Sequence, residues 1–123
     1  MLQTEKIQTQ TLDTYIQTIQ NPEKISLLKI DVEGWEIPVL EGGKDFLSHA
    51  NAPILLVEFT EQNAINAGYS CKDLYNLIIS YGYSLYSYNA NTNELILESL
   101  REEYPYVNLI AIKDIESVYS RIK

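Results

Sequence analysis

The chain is poor in the residues that build metal and thiol sites. It holds one cysteine, Cys71, and one histidine, His49. A single cysteine excludes an intramolecular disulfide and fits a reducing, cytoplasmic setting. With one residue of each kind, a zinc site or a cysteine–histidine catalytic pair is a poor reading. Cys71 falls in a helix's first turn, and His49 at a helix end suits the surface. Long apolar runs are missing too: nothing approaches the ~18 residues that cross a bilayer. The opening Met1-Leu2-Gln3-Thr4-Glu5-Lys6 has no apolar core of the signal-peptide kind, so no membrane partner is expected. Basic residues are also scarce, 9 Lys and Arg against 17 Asp and Glu, for a formal net charge of -8. That field repels phosphate backbones and argues against nucleic acid as a partner.

Apolar side chains and tyrosine are plentiful. The 123 residues are 46% hydrophobic, which suits one domain spanning 1–123 that buries a core without disulfide staples. Tyrosines concentrate in the later part, and those from Tyr81 to Tyr88 recur near strand spacing, as sheet-packing residues do.

Strand and helix signals alternate along the chain. Lys6–Gln10 reads as a short edge strand and Thr11–Gln20 as a helix capped by Thr11, with Leu12, Tyr15, Ile16 and Ile19 on one face. Ile25–Asp31 and Ile54–Phe59 are nearly continuous apolar runs, expected of parallel strands covered on both faces. Between them Glu36–Ser48 reads as a helix with Pro38 in its first turn. The Gly42-Gly43 pair within it implies close packing or an interruption, since each glycine costs about 1 kcal/mol relative to alanine. Ser70–Tyr81 is the clearest helix, with Ser70 and Asp73 as a capping box, a Leu74, Leu77, Ile78, Tyr81 stripe, and Gly82 as its stop. Tyr83–Tyr88 and Glu94–Glu98 form a hairpin about an Asn-rich turn. Val107–Ile112 is a further strand and Asp114–Ile122 a terminal helix. This order predicts an α/β domain with a mainly parallel sheet, an antiparallel carboxyl-terminal strand or hairpin, and helices on both faces.

One stretch carries a family resemblance. Leu28-Lys29-Ile30-Asp31-Val32-Glu33-Gly34-Trp35-Glu36, followed by Val39-Leu40-Glu41-Gly42-Gly43, resembles the Asp-x-Glu-Gly-x-Glu turn and following helix of FkbM-type methyltransferases. Thr11-Leu12-Asp13 upstream, Pro53–Glu58 downstream and Asn108–Ile112 near the end look like further elements of that family. The resemblance implies a Rossmann-like fold and S-adenosylmethionine-dependent methylation, usually of an oxygen on a small-molecule or glycan acceptor. It also implies that the chain corresponds to the second half of such a domain. The family's cofactor half begins with a glycine-rich turn, and Gly34, Gly42, Gly43, Gly68 and Gly82 make no Gly-x-Gly between strand and helix.

Ligands of open α/β sheets bind beyond the carboxyl ends of the strands. Asp31 and Glu33 lie at one such end and Glu58 at another, so these carboxylates are placed to take a proton, hold a hydroxyl or ligate a hard cation. Asp31 or Glu33 is the candidate base. Trp35, Glu36 and Glu58 are candidates for the substrate side. Structural readings stand beside these. Glu33 and Glu36 suit charge-matching of a helix start, and Glu58 suits pairing with Lys29, the one charge within the first buried strand. Trp35 suits either a pocket wall or a lid on the helix start. Without a first half, strand Ile25–Asp31 would leave an edge open. That predicts either a homodimer or a separate amino-terminal half as partner. The second function reading is a non-catalytic module that persists through such assembly.

Overall fold

The computed structural model describes residues 9–122. Its elements are α1 (Leu12–Ile16), a 3-10 turn at Pro22–Lys24, β1 (Leu27–Ile30), α2 (Glu36–Glu41), α3 (Lys44–Leu47), β2 (Ile54–Phe59), α4 (Glu61–Asn66), α5 (Cys71–Ser80), β3 (Ser84–Asn89), β4 (Glu94–Leu97), β5 (Val107–Ile112) and α6 (Ile115–Ile122). The strands form one sheet in the order β1-β2-β5-β3-β4. β1 and β2 pair in parallel. β5 inserts antiparallel between β2 and β3, and β4 closes the hairpin with β3. The α/β class and the antiparallel finish follow the sequence pattern. The insertion of β5 leaves β1–β2 as the one parallel pair among the described strands, so the sheet is mixed.

Alternation along β2 explains the core. Leu55, Val57 and Phe59 are fully buried, joined by Leu109 and Ala111 of β5 and by Leu85 of β3. Against this face pack Ile37 and Leu40 of α2, Leu47 of α3, and Leu74 and Ile78 of α5. Each such aliphatic side chain contributes about 1.5–3 kcal/mol. The opposite face is covered less completely: Leu56, Ile110 and Tyr86, in one row across three strands, are half-buried. β1 departs furthest from the expectation of a strand covered on both faces. It is an edge strand, with Leu27 57% exposed and Lys29 exposed, while Ile30 alone is buried.

Local chemistry accounts for the helix ends. Ser70 caps α5 by accepting the Asp73 N–H at 3.1 Å, and Thr11 caps α1 through the Thr14 N–H. The helix expected over Thr11–Gln20 stops at Ile16, where N–H groups bond three residues back, Thr18 to Tyr15 and Ile19 to Ile16. The helix expected over Glu36–Ser48 is interrupted at Gly42-Gly43. A β-carbon on Gly43 would lie 2.6 Å from Leu12 Cδ2, so the break is also where α1 packs closely. Of the strand expected at Lys6–Gln10, residues 6–8 lie outside the described residues, and Thr9 and Gln10 are in no strand.

Two tyrosines of the aromatic-rich segment are buried and tied down. Tyr81 donates its hydroxyl to Leu40 O at 2.9 Å and Tyr83 to Pro53 O at 2.6 Å.

Candidate functional site

The register that sets Ile30 beside Val57 places the next residues, Asp31 and Glu58, side by side at the carboxyl ends of β1 and β2. Both belong to the less covered sheet face, since side chains alternate along a strand. Glu58 accepts the Thr60 hydroxyl at Oε1, 2.8 Å. That bond favours the ionised form, but burial, the neighbouring Asp31 carboxylate and the charge of Glu36 together outweigh it and raise the Glu58 pKa. Two carboxyl groups this close resist ionising together. Glu58 does not pair with Lys29 among the described residues; Lys29 is in register with Leu56, and its head faces solvent.

The loop from Asp31 to Trp35 is held by its own sequence. Glu36 is buried, and its carboxylate accepts the N–H of Val32 at Oε2, 3.1 Å, and of Gly34 at Oε1, 3.0 Å. Both oxygens therefore brace the loop, and the side chain expected on the substrate side points inward. Glu33 has φ 49° and Gly34 φ 105°. A β-carbon on Gly34 would stand 2.1 Å from Asn63 O, so the turn lies directly on α4. Glu33 is exposed at the turn's tip. Trp35 is 55% exposed and meets Tyr69 edge-on, ring centres 6.4 Å apart.

The structure thus brings Asp31 and Glu58 together, leaves Glu33 and Trp35 at the rim, and withdraws Glu36. Helix α4 escaped the sequence reading because it is short and polar. Its signals were Thr60-Glu61 at the start and Ala64, Ala67 and Gly68 toward the end. With it were missed Asn63, Thr60, Tyr69 and Glu61, whose carboxylate accepts the Cys71 N–H at 3.1 Å. Tyr104, almost fully buried, was missed as well; its ring packs tilted against Phe59, centres 5.1 Å apart.

Among the described residues, clefts lie away from this rim. One of about 500 Å³ is bounded by Asp13, Ile16, Phe46 and His49. Another, about 440 Å³, is bounded by Glu61, Lys72, Arg101 and Tyr104. A smaller one of about 240 Å³ lies among Ile25, Pro53, Lys113 and Arg121. No group of three or more His, Cys, Asp or Glu among the described residues is arranged to hold a metal ion. No helix there is long and apolar enough to cross a membrane.

The sequence model of the methyltransferase FkbM domain matches residues 2–85. The chain belongs to the FkbM methyltransferase family. No curated protein and no solved structure matches it. The matched span of this FkbM domain contains the Asp31–Glu36 loop and Glu58 and ends within β3, so β4, β5 and α6 lie beyond it. A cradle for S-adenosylmethionine needs backbone that a ligand approaches without a β-carbon between. Gly34 is the one glycine in a strand-to-helix turn, and the space beside it is filled by the chain's own Asn63 carbonyl. Gly42 and Gly43 face α1, and Gly68 and Gly82 follow the ends of α4 and α5. The described residues do not form such a cradle.

Proposed function

We propose that this FkbM domain serves the methylation of a hydroxyl on a small molecule or glycan, with S-adenosylmethionine as donor. It contributes the acceptor side, and the donor site is completed by polypeptide outside the described residues. The observation that carries this is the Asp31–Glu58 carboxylate pair beyond the ends of two adjacent parallel strands. Asp31, exposed at the end of β1, is the group that accepts the hydroxyl's proton, with Glu33 as the alternative, and Glu58 beside it is bonded to the Thr60 hydroxyl. Trp35, exposed beside them, flanks the acceptor.

A second reading is a non-catalytic module acting through assembly; it is favoured by the described residues, which form no cradle and place no strand beside the outer edge of β1. Calorimetric titration of the folded chain with S-adenosylmethionine and S-adenosylhomocysteine separates the two. Binding near micromolar strength, roughly -8 kcal/mol, weakened in Asp31→Ala, supports the methylation reading. No heat from a folded sample at high ligand concentration shows that this chain does not hold the donor by itself, so that either a further polypeptide supplies the donor site or the module reading stands.

A further inference from the structure

We propose that the acceptor is a neutral glycan, held along a row of side chains that runs from Asp31 and Glu58 across the sheet to Asn108 and Tyr88, where the sheet splits. That this rim takes an acceptor rests on the function proposed above; the split and the row do not. Three observations carry it.

The first is the split. β5 and β3 pair from Ser84–Ile112 to Tyr86–Ile110 and no further. Both strands continue past that point: β5 stays paired with β2 as far as Val107–Phe59, and β3 with β4 as far as Asn89–Glu94. The two therefore part inside the sheet, each still held by its other neighbour, at the end where Asp31 and Glu58 stand. β3 runs in the same direction as β2, so the turn at residues 90–93 stands at this end too. Crevices beyond the carboxyl ends of strands are where open α/β sheets take ligands.

The second is the row. Glu58 lies directly opposite Asn108, and Asp31 follows Ile30 as Glu58 follows Val57. Tyr88 is two residues past Tyr86, as Asn108 is two before Ile110, and side chains two apart share a face. The four positions thus cross the less covered face side by side. With neighbouring strands ~4.8 Å apart, the row spans at least roughly 14 Å, longer than one sugar ring. Tyr88 and Asn108 both lie past residue 85, where the match to the family model ends.

The third is the chemistry of the row. Asp31 and Asn108 are exposed and Tyr88 is 50% exposed. The Tyr88 hydroxyl donates to Asn93 Oδ1 in the hairpin turn, which fixes the ring beside the split. Carboxylates accept from sugar hydroxyls, and the Asn108 amide can both donate and accept. A tyrosine ring offers its face to the C–H side of a pyranose. The row itself holds two carboxylates and no cation; Lys29 belongs to the row below, level with Leu56. Such a surface repels phosphorylated or acidic acceptors and suits an uncharged chain of hydroxyl-bearing rings. Asp31 then meets the hydroxyl to be methylated, while Asn108 and Tyr88 hold the next ring and set specificity.

Amide NMR spectra of the nitrogen-labelled chain, titrated with maltose, cellobiose and lactose, test the row. At least one of these disaccharides is expected to shift the amides of Asn108, Tyr88 and the turn at 90–93, with roughly millimolar affinity. Asn108→Ala and Tyr88→Ala are each expected to raise the dissociation constant roughly fivefold or more, whereas Tyr88→Phe, which keeps the ring, stays within about twofold of wild type. His49→Ala, at a distant cleft, is expected to change nothing. Circular dichroism confirms folding, and Asn108→Ser replaces Asn108→Ala if the latter does not fold. A folded wild-type chain whose amides move with none of the three sugars overturns the proposal. So do shifts confined to another surface, binding that both alanine variants leave intact, and equal affinity for a disaccharide containing glucuronic acid. The donor titration is a separate measurement. Donor binding without sugar binding would remove the row and leave the methylation reading; sugar binding without donor binding would leave the row in place.

Discussion

The carboxylate of Asp13 accepts the backbone N–H of Phe46 at 2.9 Å and that of Asp45 at 3.0 Å, joining the start of α1 to the start of α3. The Thr11-Leu12-Asp13 element therefore has a structural reason. It caps a helix that follows a glycine break and has no side-chain cap of its own. The Asp13 N–H returns a bond to Gly42 O at 2.8 Å, so the two segments hold one another. Asp13→Ala is expected to cost about 1–2 kcal/mol, as loss of a helix cap does. Urea unfolding monitored by circular dichroism reads it, and an unchanged midpoint would remove the capping role.

The tight turn before α2 makes a sharper prediction. Gly34 combines φ 105° with Asn63 O where a β-carbon would go, whereas Gly68, at φ 88°, has open space beside it. Gly68→Ala is expected to cost about 1–2 kcal/mol for the left-handed backbone alone. Gly34→Ala adds a collision with backbone, and is expected to destabilise by clearly more and to shift α4. Equal losses in thermal unfolding of the two variants would show that the loop relaxes freely.

The strands, the α5 helix with its Ser70 cap, and the hairpin were legible because each rests on local pattern and on pairs close in sequence. Asp31 and Glu58 were legible as neighbours because parallel strands bring their ends together. Three features were not. The insertion of β5 between β2 and β3 is a long-range choice that leaves no periodic mark. Helix α4 is mostly polar, and Thr60, which suited a cap, spends its hydroxyl on Glu58 instead. The inward turn of Glu36 depends on two N–H groups that only the folded loop presents. Pairing of Lys29 with Glu58 is the expectation for a buried β1; Lys29 is exposed, and an exposed cation needs no internal partner.

Lys113 is a cation that the fold uses internally. Its ammonium donates to Leu47 O at 2.6 Å and His49 O at 2.7 Å, carbonyls at the end of α3, and lies 4.7 Å from the centre of the Tyr83 ring. Lys113→Met keeps the aliphatic stem and removes both bonds. It is expected to cost about 1–3 kcal/mol, since two carbonyls lose a charged donor. A midpoint equal to wild type in chemical unfolding would mean that water replaces the ammonium without loss.

Glu58 gives the pH prediction. The Thr60 hydroxyl bond lowers its pKa, but burial and Asp31 raise it further, leaving it above the ordinary 4.5. A carboxyl group whose pKa is higher in the folded chain binds its proton more tightly there than in the unfolded chain. Stability from this group therefore falls as pH rises from the ordinary value through the raised one, and the penalty is fully present above that window. Glu58→Gln keeps an oxygen for the Thr60 hydroxyl and carries no charge at any pH. The variant is expected to be more stable than wild type at about pH 7 and to lose that advantage near about pH 3, where Glu58 is protonated in both states. Chemical unfolding of both proteins at the two pH values reads the difference. Parallel stabilities would mean that Glu58 and Asp31 do not sense each other's charge. A wild-type chain more stable at neutral pH would mean that the Thr60 bond outweighs the repulsion, and the carboxylate pair would then be a structural anchor with Glu58 held ionised.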